Sequence, residues 1–466
     1  MYFLFIKNVY NSPLNKKLFF NYLLLIPIGM KLDRMREITN EMISEGIRSA
    51  DPEKLVDDNI EIKDQNIKIV DKEFNRDDYD KVIVFSIGKA SVSMASGLNK
   101  IDPDDGLVIT KKGSVFDGDR CPVSIREVSH PYPEKENLLA TNEILSKLEE
   151  TNNPLIIFLV SGGGSVLFLS PVEGISVSEM NELNRLMVKS GANIHQINSV
   201  RKHVSRVKGG RFAELCTKKG DLASLIISDV VGDDLSVIAS GPTYPDPSTF
   251  KDAEDVLREF GLWGKVSDNI REHIEKGLND DINDTPSSLD VDNYLIGNNM
   301  SALKGAKKVA DKHDLNSLIL TSQNEGEAKE VAKPYTGITK EVQDTGNPIE
   351  PPAALIFGGE MTVTFESMDS ESGEGGPNRE FVLASAIEIA DRDKIVVASV
   401  DSDGIDGVGK AGAIADPDSI ERSDLDAKKS LKCHNTQDFF DSIDDSIEFD
   451  SRTNVNDISV ILIDKK

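Results

Sequence analysis

Three consecutive glycines interrupt an apolar segment one third of the way along the chain. Residues 155–170 read LIIFLVSGGGSVLFLS, so six apolar residues lead into the glycines and apolar residues resume at once. Glycines let backbone N–H groups approach a ligand closely, and a helix start favours anions. The pattern predicts a strand–loop–helix turn that cradles a phosphate or a carboxylate; the alternative is a tight turn that needs only positive φ. The candidate residues are Ser161, Gly162, Gly163, Gly164 and Ser165.

Two further segments could supply positive charge to the same ligand. In FSIGKASVSMA (85–95) a strand ends, Gly88 permits a turn and Lys89 stands at a helix start, where a cation opposes the helix dipole. An anionic partner for Lys89 is therefore predicted; an exposed lysine in water is the alternative.

Residues 197–215, INSVRKHVSRVKGGRFAEL, are predicted to form one helix with a valine stripe and a polar stripe beside it. This is the most basic stretch of an acidic chain. Its charges fit an anion-binding site and a solvated helix face equally well, and both alternatives stay open. Its candidate binding residues are Asn198, Arg201, Lys202 and Lys208.

Carboxylates follow several predicted strands. Asp229 and Asp233 come after ASLIIS, and Asp403 comes after KIVVASV. Carboxylates at strand ends are placed to hold Mg²⁺ or to accept a proton, although Asp in a turn also makes local hydrogen bonds. GIDGVGKA (404–411) is not a P-loop, because Ala411 stands where Ser or Thr must bind Mg²⁺. The chain also lacks a dinucleotide fingerprint and the G-x-S-x-G elbow of hydrolases.

Composition narrows the class of protein. The 466 residues include 80 acidic and 53 basic side chains, a net charge of −27, which disfavours nucleic acid and anionic membranes as partners. Such acidity also suits a salt-rich cytoplasm. The three cysteines are far apart and form no CxxC, so neither a disulfide framework nor a zinc site is predicted and a reducing cytoplasm fits.

Apolar β-branched runs alternate with helical patterns along most of the chain, which predicts an α/β fold with mostly parallel sheets. AALIFGGEMTVTF (353–365) differs: it suggests a hairpin or a bulged strand, and so an antiparallel element in a second domain. We expect three parts. Residues 1–32 are a misassigned start or a disordered leader, 33–346 the main domain and 347–466 a smaller one.

The motifs together resemble the type-2 glycerate kinases, whose C-terminal part is the MOFRL domain. The matching stretches, from about residue 82 to 463, include SIGKAS, LVSGGGS, INSVRKHVSRVKGGR, ISDVVGDDLSVIASGPTYPD, GGEMTV, GGPNREF, DSDGIDG and RTNVNDISV. The resemblance implies a Rossmann-like parallel-sheet N-terminal domain and a smaller α/β C-terminal domain, with the active site between them. It further implies phosphorylation of D-glycerate by ATP and a divalent metal, usually to 2-phosphoglycerate.

Roles follow from the resemblance and from the charges above. Lys89 matches the family's GKA lysine and is expected to neutralise developing charge. Asp229, or else Asp403, is expected to orient the attacking hydroxyl or accept its proton. The family often has Arg before the Asn of its GGRNQE loop; here Pro377 precedes Asn378, and Arg379 is expected to take over the cationic role.

The remaining assignments concern the ligands. The glycine loop and the basic segment are expected to hold the glycerate carboxylate or the transferring phosphoryl group, and Mg²⁺ is expected on ATP with help from Asp233 or Glu360. The alternatives are a hydroxypyruvate reductase, which the missing dinucleotide fingerprint disfavours, and a non-catalytic metabolite-binding protein. A homodimer is a possible assembly.

Overall fold

The computed structural model describes residues 30–115, 120–365 and 373–466. Most of the predicted leader, residues 1–29, lies outside the described residues. The chain opens with helices α1 (Leu32–Ser49) and α2 (Pro52–Asp58) and a small antiparallel sheet of β1 (Ile60–Lys63), β2 (Asn66–Ile69) and β3 (Lys72–Asn75). Two six-stranded sheets follow, one parallel and one mixed, so the predicted α/β class is confirmed.

The first large sheet is fully parallel. Its strands are β4 (Lys81–Ile87), β5 (Asp105–Lys111), β6 (Ser124–Val128), β7 (Pro154–Val160), β8 (Asp221–Ile227) and β9 (Asp292–Gly297). They lie in the order β6-β5-β4-β7-β8-β9. This is the doubly wound order: successive strands are added outward on one side of β4 and then, from β7, on its other side, so the switch point lies between β4 and β7. Every residue of β7 is buried, which explains why its sequence is continuously apolar rather than alternating.

Helices cover both faces of this sheet. They are α3 (Ser91–Ser96), α4 (Lys135–Glu149), α5 (Gly164–Leu167), α6 (Val177–Lys189), α7 (Ile194–His203), α8 (Arg211–Thr217), α9 (Phe250–Glu259) and α10 (Asp268–Leu278), with 3₁₀ turns at Arg76–Asp78 and Ile238–Ser240. Helical patterns in the sequence predict helices over 134–150, 176–190 and 250–260, and α4, α6 and α9 confirm them to within one residue at each end.

The prediction of one helix over 197–215 is wrong. α7 ends at His203, Ser205 forms a bridge with Pro171, and a new helix begins only at Arg211. Gly209 and Gly210 between them have φ of 57° and 79°, a conformation that glycine adopts without strain and that stops an α-helix. Because of the break, Arg201 and Lys208 do not share a helical stripe.

The second large sheet is mixed. Its strands are β10 (Asn316–Glu327), β11 (Ala353–Thr362), β12 (Ile395–Asp401), β13 (Gly412–Ala415), β14 (Ser446–Ile447) and β15 (Asp457–Ile463), in the order β10-β11-β15-β12-β13-β14. Its helices are α11 (Asn299–Lys312), α12 (Ala328–Thr345), α13 (Pro377–Ile389), α14 (Ser419–Arg422), α15 (Ala427–Lys432) and α16 (Thr436–Asp441).

The glycines of 353–365 make no hairpin turn. β11 runs through Gly358 and Gly359 as one strand, parallel to β10 and antiparallel to β15. The pairing register between β10 and β11 shifts at residues 319–324 of β10. Gly359 has φ of 146°, and a Cβ there would overlap the backbone of Asn324. Segment 353–362 is therefore neither a hairpin nor the bulged strand of its pair, since the register shifts lie on β10, and the antiparallel element comes from β15 and its neighbours.

The chain passes from the first sheet to the second between β9 and β10, which is earlier than the predicted boundary at 346/347. β10 precedes that boundary but belongs to the second sheet, and α1, from the start of the described chain, packs on β12 and β15. One hydrophobic cluster contains Val84 and Ile157 of the first sheet together with Ile356 and Val460 of the second. The two units therefore share a core instead of meeting through a hydrated interface. Within the described ranges, no helix is both long enough and apolar enough to cross a membrane.

Because α1 fills the space beside the second sheet, truncating its buried face should destabilise the protein. Met42 is fully buried in the shared cluster. We expect Met42→Ala to lower the free energy of unfolding by about 2–5 kcal/mol, measured by urea denaturation. Asn40→Ala, at an exposed position of the same helix, should leave it nearly unchanged. Equal effects of the two variants would contradict this packing.

Candidate active site

The turns after β4 and β7 lie side by side at the switch point of the parallel sheet. The Lys89 N–H donates to the Gly162 carbonyl at 2.8 Å, and the Ser161 N–H donates to the Ile87 carbonyl at 3.0 Å. Ser161 Oγ also accepts from the Ala90 N–H at 3.1 Å. In open α/β sheets ligands bind outside the carboxyl ends of the strands at this point, so the two turns form the floor of the candidate site.

The glycines of these turns are required by close approach. Gly88 has φ of 120°, and a Cβ there would overlap Ser161; a Cβ at Gly162 would overlap the carboxylate of Asp229. Gly163 adopts φ of 83°, and its Cβ position is 3.0 Å from Cγ of Lys89. The predicted glycine loop thus brings Lys89 and Asp229 together.

Several hydrogen-bond donors between the two turns have no partner in the described structure. Within the described residues, no acceptor faces the N–H groups of Gly162 and Gly163, and the Lys89 ammonium has no hydrogen-bond or ion-pair partner. Asp229 is half-buried, and desolvation raises the pKa of its carboxyl, an effect that the charge of Lys89 partly offsets. Unclaimed donors beside a perturbed carboxylate are typical of a site that binds an anionic reactant.

His130 joins this group, although nothing in the sequence reasoning selected it. It follows β6, and its Nε2 lies 3.4 Å from the Cβ position of Gly163. Burial, together with the charges of Lys89 and Lys111, lowers the pKa of His130, which favours the neutral ring. The only available signal was that His130 follows the carboxyl end of β6, a strand of the same parallel sheet, by two residues.

A cleft opens from Lys89 toward the second unit. Its volume is about 400 Å³; one wall carries Lys89, Lys111 and Ser114, and the opposite wall is formed by residues 403–405 and 448–454. Asp403 lies on that opposite wall, where its Oδ1 accepts the Ile405 N–H at 2.9 Å. Lys89 therefore borders both the glycine loop and the cleft between the units.

The two carboxylates predicted to help hold a nucleotide-bound Mg²⁺ have different surroundings. Asp233 accepts a hydrogen bond from Nδ2 of Asn298 at 2.6 Å. Glu360 is partly exposed on β11, and desolvation and the charges of Asp229 and Glu325 raise the pKa of its carboxyl. In the part of the chain that the structure describes, no three His, Cys, Asp or Glu side chains converge on a point that could hold a metal ion. A nucleotide-bound Mg²⁺ that takes one ligand from Asp233 or Glu360 does not need such a cluster, so that assignment stays a prediction.

The basic residues of 198–208 serve different purposes. Lys202 is buried and pairs with Asp246, Nζ to Oδ1 at 3.3 Å. Lys208 is buried, and its Nζ donates to the carbonyls of Ser165 at 2.6 Å and of Phe168 at 3.3 Å. Both lysines hold loops in place. The prediction that they bind the ligand directly is not supported, because buried partners already occupy their ammonium groups.

Two other members of the segment remain open to a ligand. Arg201 is half-buried, with its Nε 2.6 Å from Oδ1 of Asn184. Asn198 is buried, and its Oδ1 accepts from Oγ of Ser240 at 3.2 Å, which in turn lies 2.8 Å from Oγ of Ser165. Ser240 thus connects α7 to the glycine loop.

Arg379 does not face the cleft. Its side chain is fully buried, with Nε 3.1 Å from Oδ2 of Asp406, Nη1 2.8 Å from Gln437 and Nη2 on the carbonyls of Asp406 and Val408. Asn378 is likewise buried, donating to Asp406 and Asp457. The structure does not support the expectation that Arg379 supplies a catalytic cation: Nε and Nη2 anchor the loop 406–408 to the start of α13, and Nη1 is held by Gln437 of α16.

Comparison with known proteins identifies the family. Residues 38–275 match a domain of unknown function, DUF4147, and residues 353–457 match the MOFRL family. The glycerate 2-kinase of Pyrococcus horikoshii is 38% identical over 93% of this chain and 98% of its own length. The chain belongs to the MOFRL-containing glycerate 2-kinase family.

Other members of this glycerate 2-kinase family share the fold. The crystal structure of the glycerate kinase from Thermotoga maritima has a TM-score of 0.82 at 33% identity and covers 92% of this chain and 100% of that one. A protein of Agrobacterium vitis named putative hydroxypyruvate reductase is 34% identical over 92% of this chain and 94% of its own length. Both the predicted family and the predicted fold are thereby confirmed.

In this glycerate 2-kinase family member, the contact between Gly162 and Asp229 leaves no room for a side chain. We expect Gly162→Ala to lower the free energy of unfolding by about 1–3 kcal/mol in urea denaturation, because Asp229 or the turn must shift. Gly264→Ala, where a Cβ would meet nothing within 4 Å, is the matched control and should change it far less. Equal stabilities of the two variants would show that the close approach is absent.

Proposed function

We propose that this protein transfers the γ-phosphoryl group of ATP to a hydroxyl of D-glycerate, giving 2-phosphoglycerate. The observation that carries the proposal is the joining of the β4 and β7 turns, which puts an unpaired lysine, two unclaimed backbone N–H groups and a perturbed carboxylate around one point. Family membership and relatives named glycerate 2-kinase support the choice of substrate.

The proposed arrangement places the nucleotide in the cleft between the units and glycerate against the glycine loop. The cleft volume of about 400 Å³ lies within the usual range for ligand pockets, and Lys111 adds positive charge to its wall. Lys89 borders both spaces, so its ammonium is placed to touch the phosphoryl group during transfer. Phosphoryl transfer depends mainly on such positioning and charge neutralisation.

In the proposed step the glycerate hydroxyl oxygen bonds to the γ-phosphorus while the bond to the β-phosphate oxygen breaks, releasing ADP. Asp229 accepts the hydroxyl proton, and Lys89 with the N–H groups of Gly162 and Gly163 stabilises charge on the phosphoryl oxygens. Asp229 is preferred over Asp403 because its carboxylate lies against the glycine loop, whereas Asp403 lies across the cleft. A divalent cation bound to the nucleotide would supply further charge neutralisation.

The alternative of a hydroxypyruvate reductase has one supporting observation, the name of the Agrobacterium vitis relative. The doubly wound sheet is the kind that binds dinucleotides. However, the turn after β4 reads SIGKAS and lacks the G-x-G-x-x-G spacing that brings a pyrophosphate close to the backbone. The kinase reaction therefore remains the better supported function.

The first test removes the lysine that borders both reactants. Lys89→Ala should lower kcat for ADP release with D-glycerate by about 10²–10³-fold, since a preorganised donor to the phosphoryl group is lost. Lys265→Ala, at an exposed position, is the control. A wild-type protein that oxidises NADH with hydroxypyruvate and leaves ATP untouched with glycerate would overturn the proposal.

The second test uses pH. A base works only when ionised, so kcat/KM should fall as the pH drops through the raised pKa of Asp229, above the value of about 3.9 for an ordinary Asp. Asp229→Asn should abolish most turnover. Asp403→Asn should keep the fall in kcat/KM at low pH, which we call the acidic limb of the profile. If Asp403→Asn removes the limb and Asp229→Asn does not, the base is Asp403.

A further inference from the structure

Two cations behind the glycine loop have no counter-ion. Lys208 is 2% exposed and bonds only to carbonyl oxygens, and Arg201 bonds to the amide of Asn184. In the described ranges neither forms an ion pair with a carboxylate. Burial and the neighbouring charge of Arg201 lower the pKa of Lys208 to about 7. Desolvated positive charge without a partner is unfavourable, so this place favours an incoming anion.

An unsatisfied donor lies on the same helix. Asn198 is 2% exposed, and among the described residues its Nδ2 has no hydrogen-bond acceptor, although its Oδ1 is held by Ser240. Asn198 and Arg201 are three positions apart on α7, a spacing that puts both on one face of the helix. A buried amide donor without an acceptor is costly and is expected to meet a ligand oxygen.

The hydrogen bonds of Ser240 show where Asn198 and Arg201 lie relative to the glycine loop. Ser240 Oγ contacts both Asn198 and Ser165, so α7 reaches the far end of the glycine loop, while Gly163 meets Lys89 at the near end. Gly163 and Ser165 are two residues apart, which spans at most about 7 Å of chain. A three-carbon hydroxy acid has the length to reach from one end to the other.

We propose that Arg201 and Asn198 bind the carboxylate of the acceptor substrate at the Ser165 end of the loop, so that its hydroxyl lies at the Lys89 and Asp229 end. The site selects short hydroxy monocarboxylates, because the planar guanidinium matches a carboxylate. Lys208 does not touch the substrate; it is a positioning residue that holds the carbonyls of Ser165 and Phe168. This inference rests on the proposed function.

The test compares KM values of the full chain for both substrates. Arg201→Gln should raise KM for D-glycerate at least 10-fold and leave KM for ATP within twofold; Asn198→Asp, which sets a carboxylate against the substrate, should do the same. Arg206→Gln, at an exposed neighbouring position, is the control and should change neither. Lys208→Met should lower kcat more than it raises KM for glycerate.

Each other outcome has a definite meaning. A raised KM for ATP in Arg201→Gln assigns the subsite to a nucleotide phosphate and overturns the inference, as does an unchanged KM for glycerate in both variants. Calorimetric titration with D-glycerate and with glycerol, which lacks the carboxylate, separates this from the kinase proposal. If wild type releases no ADP yet binds glycerate and not glycerol, and Arg201→Lys weakens that binding, the proposed function fails and the subsite stands.

Discussion

The backbone contact between the turns after β4 and β7 is the constraint on which the candidate site depends. Two backbone hydrogen bonds and one from the Ala90 N–H to Ser161 Oγ join the turns, and the absence of a Cβ at Gly88 and Gly162 allows them to meet. Because both turns leave adjacent parallel strands, the rigidity of the sheet is passed directly to Lys89 and to the open N–H groups.

Around this contact, polar residues divide into those that hold the backbone and those that remain open. Lys202 and Arg379 pair with Asp246 and Asp406, and Lys208 donates to loop carbonyls without a counter-ion, so each fixes a segment that approaches the site. Among the residues that the structure describes, Lys89 and Asp229 have no such partners. A buried charge that is fully bonded gives rigidity, whereas one left open is available to a ligand, and burial alone does not distinguish the two.

The shared core explains how a cleft between two units can be a defined site. Helix α1 and strands of both sheets contribute to one hydrophobic cluster, which restrains the second unit against the first. That restraint brings β11 close enough for Glu360 to interact electrostatically with Asp229 and Lys89. Charged residues that are far apart in the sequence, Lys89, Asp229 and Glu360, therefore influence one another at the site.

The sequence by itself determined the α/β class, the approximate helix and strand positions and the two glycine turns, because apolar periodicity and glycine reflect local backbone requirements. It also carried enough motifs to indicate the family. Only the tertiary structure decided that the helix predicted over 197–215 is interrupted between His203 and Arg211, that Arg379 is buried, and that His130 joins the site. The direction of a side chain depends on the neighbours that pack around it, and those neighbours come from distant parts of the chain whose meeting no local pattern records.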